Sequence, residues 1–509
     1  MSAQDWAEGY VVDLDYTRHY FRELSPAQLR FVTLLGGIDA QDAAPFTYYE
    51  LGCGNGYSTA LHAAANPQGT FIGVDFNPTH VHNARKFAQD VGASNLRFLE
   101  KSFGELLQED LQDADFIVLH GVWSWIAAEP RQHLLEFFRR KLKPGGIVYL
   151  SYNCLPGLAQ VAPLQRLLLE SAGPGAGDRI EKVRRSLEFA TRLQKAGAHF
   201  FSANPLAAAR LADMGRHDPH YLAHEYHNAN WAPSYHADIA RELAGAKLGY
   251  AGSAALLDNF AQFVLKPEMA KIVAEIPDRA LAETIKDYAL NQVFRRDVYT
   301  RGAPKAAPRQ LEAALARTRF ALARPRSACR LASPTPAGEV TLQAEAYAPV
   351  LDALARGPMT FDELARAPEC AVLDHGRLRQ AVFGMAALGN LLPALPAAGE
   401  GKRRENATRF NEAILRAPIT DASNTFLASP VTGAGVAVNL IDRMFFDARH
   451  DESQAVGSAH TAVASGRLKL RKADKNLESA ADIEAYVKDR AQFFFTDFLP
   501  FLKMLRVAV

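Results

Sequence analysis

A chain of 509 residues is too long for one ordinary domain and calls for about three or four hydrophobic cores. Hydrophobic residues make up 48% and charged residues 22%, which excludes wholesale disorder. Lys plus Arg number 57 against 56 Asp plus Glu, so the whole-chain charge carries no footprint for nucleic acid or an anionic membrane. Residues 1–8 include Asp5 and Glu8 and no apolar run, which argues against a secretory leader. No stretch reaches the roughly 18 apolar residues of a membrane span, and a cytoplasmic location is expected. Cys53, Cys154, Cys329 and Cys370 form no C-x-x-C pair, which suits reduced thiols better than a disulfide frame or a zinc site.

Between residues 46 and 151 short β-rich runs alternate with helical stretches, the pattern of βαβ units around a parallel sheet. Strands are expected at 46–51, 70–75, 95–100, 115–119 and 146–151, with crossover helices at 58–65, 78–91 and 130–142. The run Lys143-Pro144-Gly145-Gly146 reads as a turn into the fifth strand. Residues 158–170 and 180–195 are apolar at helical spacing, separated by a breaker at 172–177, and read as a helical insertion. A helix at 233–246 precedes a strand-like run at 248–252 that could rejoin the sheet. Proline-rich stretches at 303–308 and 324–338 look like linkers on either side of a short basic helix. Helical patterns at 342–355, 360–366 and 375–388, then a β-like run at 391–393, follow the order of a winged helix. Residues 397–405 read as a mobile loop, and 481–505 as an apolar, aromatic helix pair. The expected units are 1–158, 159–216, 217–302, 303–340 and 341–509.

The sharpest motif is Glu50-Leu51-Gly52-Cys53-Gly54-Asn55-Gly56, between a strand and a helix. Glycines there permit a tight turn close to a ligand, and a helix N-terminus presents free N–H groups. Asp75 ends the next strand, where a carboxylate can grip two ribose hydroxyls. A dinucleotide site wants G-x-G-x-x-G, and Tyr57 occupies the place of the third glycine. The fourth and fifth strands run into His120-Gly121-Val122-Trp123-Ser124-Trp125 and Ser151-Tyr152-Asn153-Cys154-Leu155-Pro156-Gly157. Ligands of open α/β sheets bind outside the carboxyl ends of strands, so both segments should face the substrate.

The spacing E-x-G-x-G-x-G resembles motif I of the class I S-adenosylmethionine-dependent methyltransferases. Further segments resemble bacterial methyltransferases with a methyltransferase regulatory domain, including lysine methyltransferases that act on outer-membrane proteins. They are Tyr16-Thr17-Arg18-His19-Tyr20-Phe21 with Pro26, the two segments after strands four and five, His224-Glu225-Tyr226 through Asn228 with Pro233 and Tyr235, and 291–296. The chain departs from that pattern at Leu158 for tryptophan, Trp123 for tyrosine and Ser25 for histidine. The resemblance implies a Rossmann-like α/β sheet with a helical insertion, a regulatory domain and a C-terminal winged-helix-like α+β region. It implies S-adenosylmethionine as cofactor, yielding S-adenosylhomocysteine, held by Tyr16, Glu50, Gly52, Gly54, Gly56, Asp75, Phe76, Ser102, Phe103 and His120. Tyr152, Asn153, His120 and Trp123 would position the substrate. Core packing is the alternative for Phe76 and Phe103, and capping of the sheet for the tryptophans.

No metal is expected, because His220-Tyr221-Leu222-Ala223-His224-Glu225 departs from H-E-x-x-H and methyl transfer from a sulfonium needs no Lewis acid. The expected partner is a methyl acceptor, a protein lysine amine or else a small molecule, with no membrane. A homodimer is compatible with the C-terminal region. Nucleic acid is disfavoured, because Arg377 and Arg379 make a thin recognition face and S-Y-N-C-L-P lacks the N-P-P-Y of DNA base methylation.

Overall fold

The computed structural model describes residues 19–39, 44–173, 178–417, 425–447, 451–466, 468, 470–472, 475–477 and 479–507. Its centre is a seven-stranded sheet of β1 (Phe46–Leu51), β2 (Gly69–Asp75), β3 (Leu96–Glu100), β4 (Ala114–Leu119), β5 (Leu142–Asn153), β6 (Leu248–Ser253) and β7 (Phe294–Arg301). The order is β3-β2-β1-β4-β5-β7-β6. The first five strands are mutually parallel, and β7 runs antiparallel to both β5 and β6. This is the Rossmann-like sheet expected from the sequence, and the strand-like run at 248–252 does rejoin it. All six residues of β1 are buried, as a central strand covered on both faces requires.

The turn expected at 143–146 is a bulge inside β5. Ala114 pairs with Leu142 but Phe116 with Ile147, so the intervening residues loop out of a ladder that never ends. Helix Pro78–Asp90 begins at Asn77, whose side chain accepts from the N–H groups of Thr79 and His80. The insertion forms helices Ala162–Ala172, Arg179–Lys195, His199–Ala203 and Pro205–Met214, which share an apolar cluster with helix Pro219–Tyr226 of the following expected unit. Residues 174–177 of the expected breaker lie outside the described residues.

Beyond β7 the linker expectation fails in part. Helix Pro308–Arg317 is followed by strand Arg319–Leu322 and by a hairpin of Ala332–Thr335 with Gly338–Thr341. Strand Arg319–Leu322 is flanked by Met359–Thr360 and Leu391–Ala394 in a three-stranded sheet. Helices Ala344–Ala355, Phe361–Arg366 and His375–Ala387 stand close to their expected places. Where a wing would follow, Leu391–Ala394 instead leads into the helix Glu400–Arg416. That helix replaces the expected mobile loop, because Arg403 is buried and donates to the carbonyls of Pro396, Ala398 and Pro430. The last helices, Ala480–Phe493 and Leu499–Met504, are joined by a π-helical turn.

One sheet face and the C-terminal region share a single apolar cluster, through helices Pro26–Leu35 and Tyr57–Ala65. The hairpin of Thr425–Ser429 and Ala434–Val438 lies against helix Tyr57–Ala65. The other face packs on helices Ala128–Lys141 and His236–Gly245.

Candidate active site

A cavity of about 490 Å³ opens at the carboxyl ends of β1, β2, β4 and β5. Its floor is the turn after β1, where Gly52, Gly54 and Gly56 all take positive φ, at 75°, 52° and 71°. At Gly56 a Cβ would sit 2.5 Å from the Phe98 ring, so only glycine lets helix Tyr57–Ala65 start this close to β3. Gly54 differs, because a Cβ there meets nothing within 4 Å and its backbone lies open to a ligand.

Two carboxylates flank the turn. Asp75 is buried and accepts from the N–H groups of Gly54 at 2.9 Å and Asn77 at 3.0 Å, which tie it to the glycine turn. Glu50 accepts from the Thr59 hydroxyl at 2.8 Å. Burial pushes its carboxyl up to about 7, against the lowering effect of that hydrogen bond. An open glycine backbone beside a buried carboxylate at the end of the next strand fits a nucleotide-like ligand with a ribose.

Phe76, Ser102 and Phe103 line the same cavity. Ser102 also caps the helix Phe103–Leu106 in a reciprocal pair with Glu105. At the end of β4, His120 stacks on Phe21 with ring centroids 3.6 Å apart and shares a hydrogen bond with the Tyr149 hydroxyl at 2.8 Å. Burial, then the charges of Arg296 and His19, push its imidazole down to about 3, so the ring is neutral near pH 7. The ends of β4 and β5 are held together by Ser151, which accepts from Gly121 N–H, and Ser124, which accepts from Asn153 N–H, each at 2.8 Å. Asn153 and Trp125 line the cavity.

Two expected substrate residues stand elsewhere. Tyr152 is buried in the core on the opposite face of β5, because side chains alternate along a strand: Ile147 and Tyr149 join one core, Val148, Leu150 and Tyr152 the other. Its hydroxyl donates to Asp297 at 2.8 Å. Trp123 is fully buried beneath Arg131, which donates to its carbonyl at 3.1 Å. Tyr16 lies outside the described residues.

Glu225, Trp231 and Arg210 line the cavity without having been singled out as site residues. Glu225 sits in a segment quoted for its family resemblance, which was a usable signal. Nothing in the local pattern of Arg210 or Trp231 points to the cavity. The histidines between residues 217 and 236 do not gather: His217 pairs with Asp213, His227 with Ser186 and His236 with Asp297. Among the described residues no group of three or more His, Cys, Asp or Glu is placed to hold a metal.

Comparison with known proteins agrees with this geometry. A family model described as a methyltransferase domain matches residues 46–188, and one described as a predicted methyltransferase regulatory domain matches residues 218–301. The uncharacterized protein sll1526 of Synechocystis is 35% identical over 504 residues, covering 99% of this chain and 100% of its own. The uncharacterized protein RP789 of Rickettsia prowazekii is 27% identical over 292 residues, 56% of this chain and 51% of its own. In fold, the chain is similar to PKMT2 from Rickettsia typhi in complex with AdoHcy, with a TM-score of 0.68, 19% identity and coverage of 97% and 99%. The chain belongs to the class I S-adenosylmethionine-dependent methyltransferases that carry a methyltransferase regulatory domain.

Proposed function

We propose that this methyltransferase acts on lysine side-chain amines of proteins. The observation that carries the reading is the cavity itself, which joins the glycine turn to an aromatic wall containing Trp125 and Trp231. Such a slot suits an apolar stem with a cationic head. The resemblance to lysine methyltransferases of outer-membrane proteins, and the whole-length likeness to PKMT2, support the same acceptor.

S-adenosylmethionine supplies a methyl group on a sulfonium, whose sulfur is a good leaving group. The chain's own work is binding and alignment, and holding two reactants in line can contribute roughly 7–11 kcal/mol. In this reading Gly52, Gly54 and Gly56 carry the cofactor backbone-close, Asp75 grips its ribose and Glu50 faces its amino-acid end. Phe76, Ser102 and Phe103 flank the adenine, with Tyr16 contributing from the entry segment. His120 and Asn153 stand where the methyl group and the acceptor meet. A lysine amine of pKa near 10.4 costs about 4.6 kcal/mol to deprotonate at pH 7, and an apolar channel lowers that cost by desolvating the ammonium.

We read residues 159–302 as the part that shapes the acceptor side, and we place the reaction in the cytoplasm. Among the described residues no helix is long and apolar enough to cross a membrane. The test is transfer of labelled methyl from S-adenosylmethionine into a lysate of the producing cell. Acid-stable label in protein that maps to lysine is the expected result. Label confined to the small-molecule fraction overturns the acceptor and leaves a small-molecule methyltransferase.

A further inference from the structure

Besides the glycine turn, the cavity is lined by residues from separate stretches of the chain. Trp125 follows β4, Arg210 lies on helix Pro205–Met214, and Glu225 and Trp231 lie on and after helix Pro219–Tyr226. The indoles of Trp125 and Trp231 stack with centroids 6.1 Å apart and planes 25° from parallel. Glu225 is partly buried and lines the same cavity. Among the described residues its carboxylate meets neither a hydrogen-bond donor nor a cation within ion-pair distance.

Arg210 is engaged elsewhere. Its Nε donates to the Tyr226 hydroxyl at 2.6 Å, and its Nη1 lies 4.0 Å from Asp213. Among the described residues, the titratable groups that interact with Glu225 are Arg210 from the neighbouring helix and Tyr221 and Tyr226 from its own. Desolvation pushes its carboxyl up to about 7, against the lowering pull of Arg210. A half-buried carboxylate without a hydrogen-bonding partner is costly, and a cation admitted to the cavity that Glu225 shares with the stacked indoles removes that cost.

We propose that Glu225 and the stacked pair Trp125–Trp231 seat the acceptor ammonium, and that the Glu225 carboxylate takes the proton which the nitrogen must lose before it attacks. The inference rests on the lysine-amine reading. In the step, the ammonium R–NH3⁺ and the carboxylate become the amine R–NH2 and a neutral carboxylic acid at Glu225. The freed lone pair then forms the nitrogen–carbon bond, and the electron pair of the methyl–sulfur bond stays on the departing sulfur. A carboxyl that titrates near neutral pH is suited to that exchange.

The experiment uses the full chain saturated with S-adenosylhomocysteine and titrated at pH 8 with n-butylammonium or with n-butanol, its uncharged counterpart, following tryptophan fluorescence. The wild-type protein is expected to prefer the ammonium by about tenfold or more, and Glu225→Gln to lose that preference. Affinity for S-adenosylhomocysteine, read by calorimetry, should stay within about twofold in the variant, which shows that the fold and cofactor site persist. Equal response of the wild type to the two probes, or an undiminished preference in Glu225→Gln, overturns the proposal. The wild-type comparison decides by itself if the variant does not bind S-adenosylhomocysteine. Failure of the wild type to bind S-adenosylhomocysteine refutes the cofactor site instead.

Discussion

The hydroxyl of Tyr20 accepts a hydrogen bond from the N–H of Gly435 at 2.5 Å, joining the N-terminal segment to a hairpin 415 residues further along the chain. The same hairpin holds the helix after the glycine turn, because the Tyr57 hydroxyl donates to the Phe426 carbonyl and accepts from its N–H. Since His19 and Phe21 on either side of Tyr20 line the cavity, the C-terminal region braces the cofactor end of the site from outside.

Tyr20→Phe should therefore act on two quantities. Leaving the buried Gly435 N–H without its acceptor costs about 1–3 kcal/mol, seen as a lower melting temperature. Affinity for S-adenosylhomocysteine should weaken with it, because the loosened segment carries Phe21. Unchanged affinity with a lowered melting temperature would mean that the hairpin supports the fold alone.

At the glycine turn, Gly54→Trp is the cleanest probe of the cofactor site. The position is open at its first side-chain atom, where a Cβ would meet nothing within 4 Å, and its positive φ costs a non-glycine residue about 1–2 kcal/mol. Binding of S-adenosylhomocysteine should be abolished while the circular dichroism spectrum is kept. Asp75→Ala should also abolish binding, with a larger stability loss because the Gly54 and Asn77 N–H groups lose their acceptor. Normal affinity in both variants would remove the glycine turn from the cofactor site.

Tyr152 stands in the core, and Tyr152→Phe tests whether that is all it does. Asp297 keeps Arg295 and His236 as partners when the phenol is lost. A stability loss of about 1 kcal/mol is expected with kcat nearly unchanged. A large fall in kcat at unchanged stability would return Tyr152 to the chemistry.

Acid should unfold the protein through the ion network behind β7. Arg295 contacts Glu283, Asp287 and Asp297, all buried or nearly so. Burial alone would raise Glu283, but Lys286 and Arg295 together hold its carboxyl down at about 2; Asp297 is likewise held below the usual range, whereas burial keeps Asp287 above it, so Glu283 and Asp297 carry the acid sensitivity. For a depressed carboxylate the stabilisation is fully present above its unfolded pKa, near 4, and is lost as pH falls through the folded value. Stability should thus decline between about pH 4 and pH 2. Arg295→Met, which strands three buried carboxylates, should cost about 3–5 kcal/mol at pH 7 and lose less as the pH is lowered. A variant as stable as the wild type at neutral pH would contradict this account of the network.

The first five strands, their crossover helices and the glycine turn were legible because each is decided within a short window. Alternation, helical spacing, capping residues and positive-φ glycines act over a few residues, and a ligand-binding turn at a strand end follows from the topology they imply. The side on which Tyr152 falls was not legible from its neighbours, because its motif does not say which face of β5 meets the cavity, and the pairing of β5 with β7 decides that. The loop expected at 397–405 became a helix for a similar reason, since Arg403 finds its carbonyl partners only after Pro430 is folded against it.

The amino-acid sequence determined the parallel half of the sheet, from strand periodicity to the places of Glu50 and Asp75 at the ends of β1 and β2, because those features are local. The tertiary structure alone brought Glu225, Arg210 and Trp231 into the cavity that the glycine turn lines, and Gly435 to Tyr20. Those contacts join segments tens to hundreds of residues apart, and the physical reason is plain. Such distances close only when whole apolar faces pack, and no pattern within one segment states which distant face it will meet.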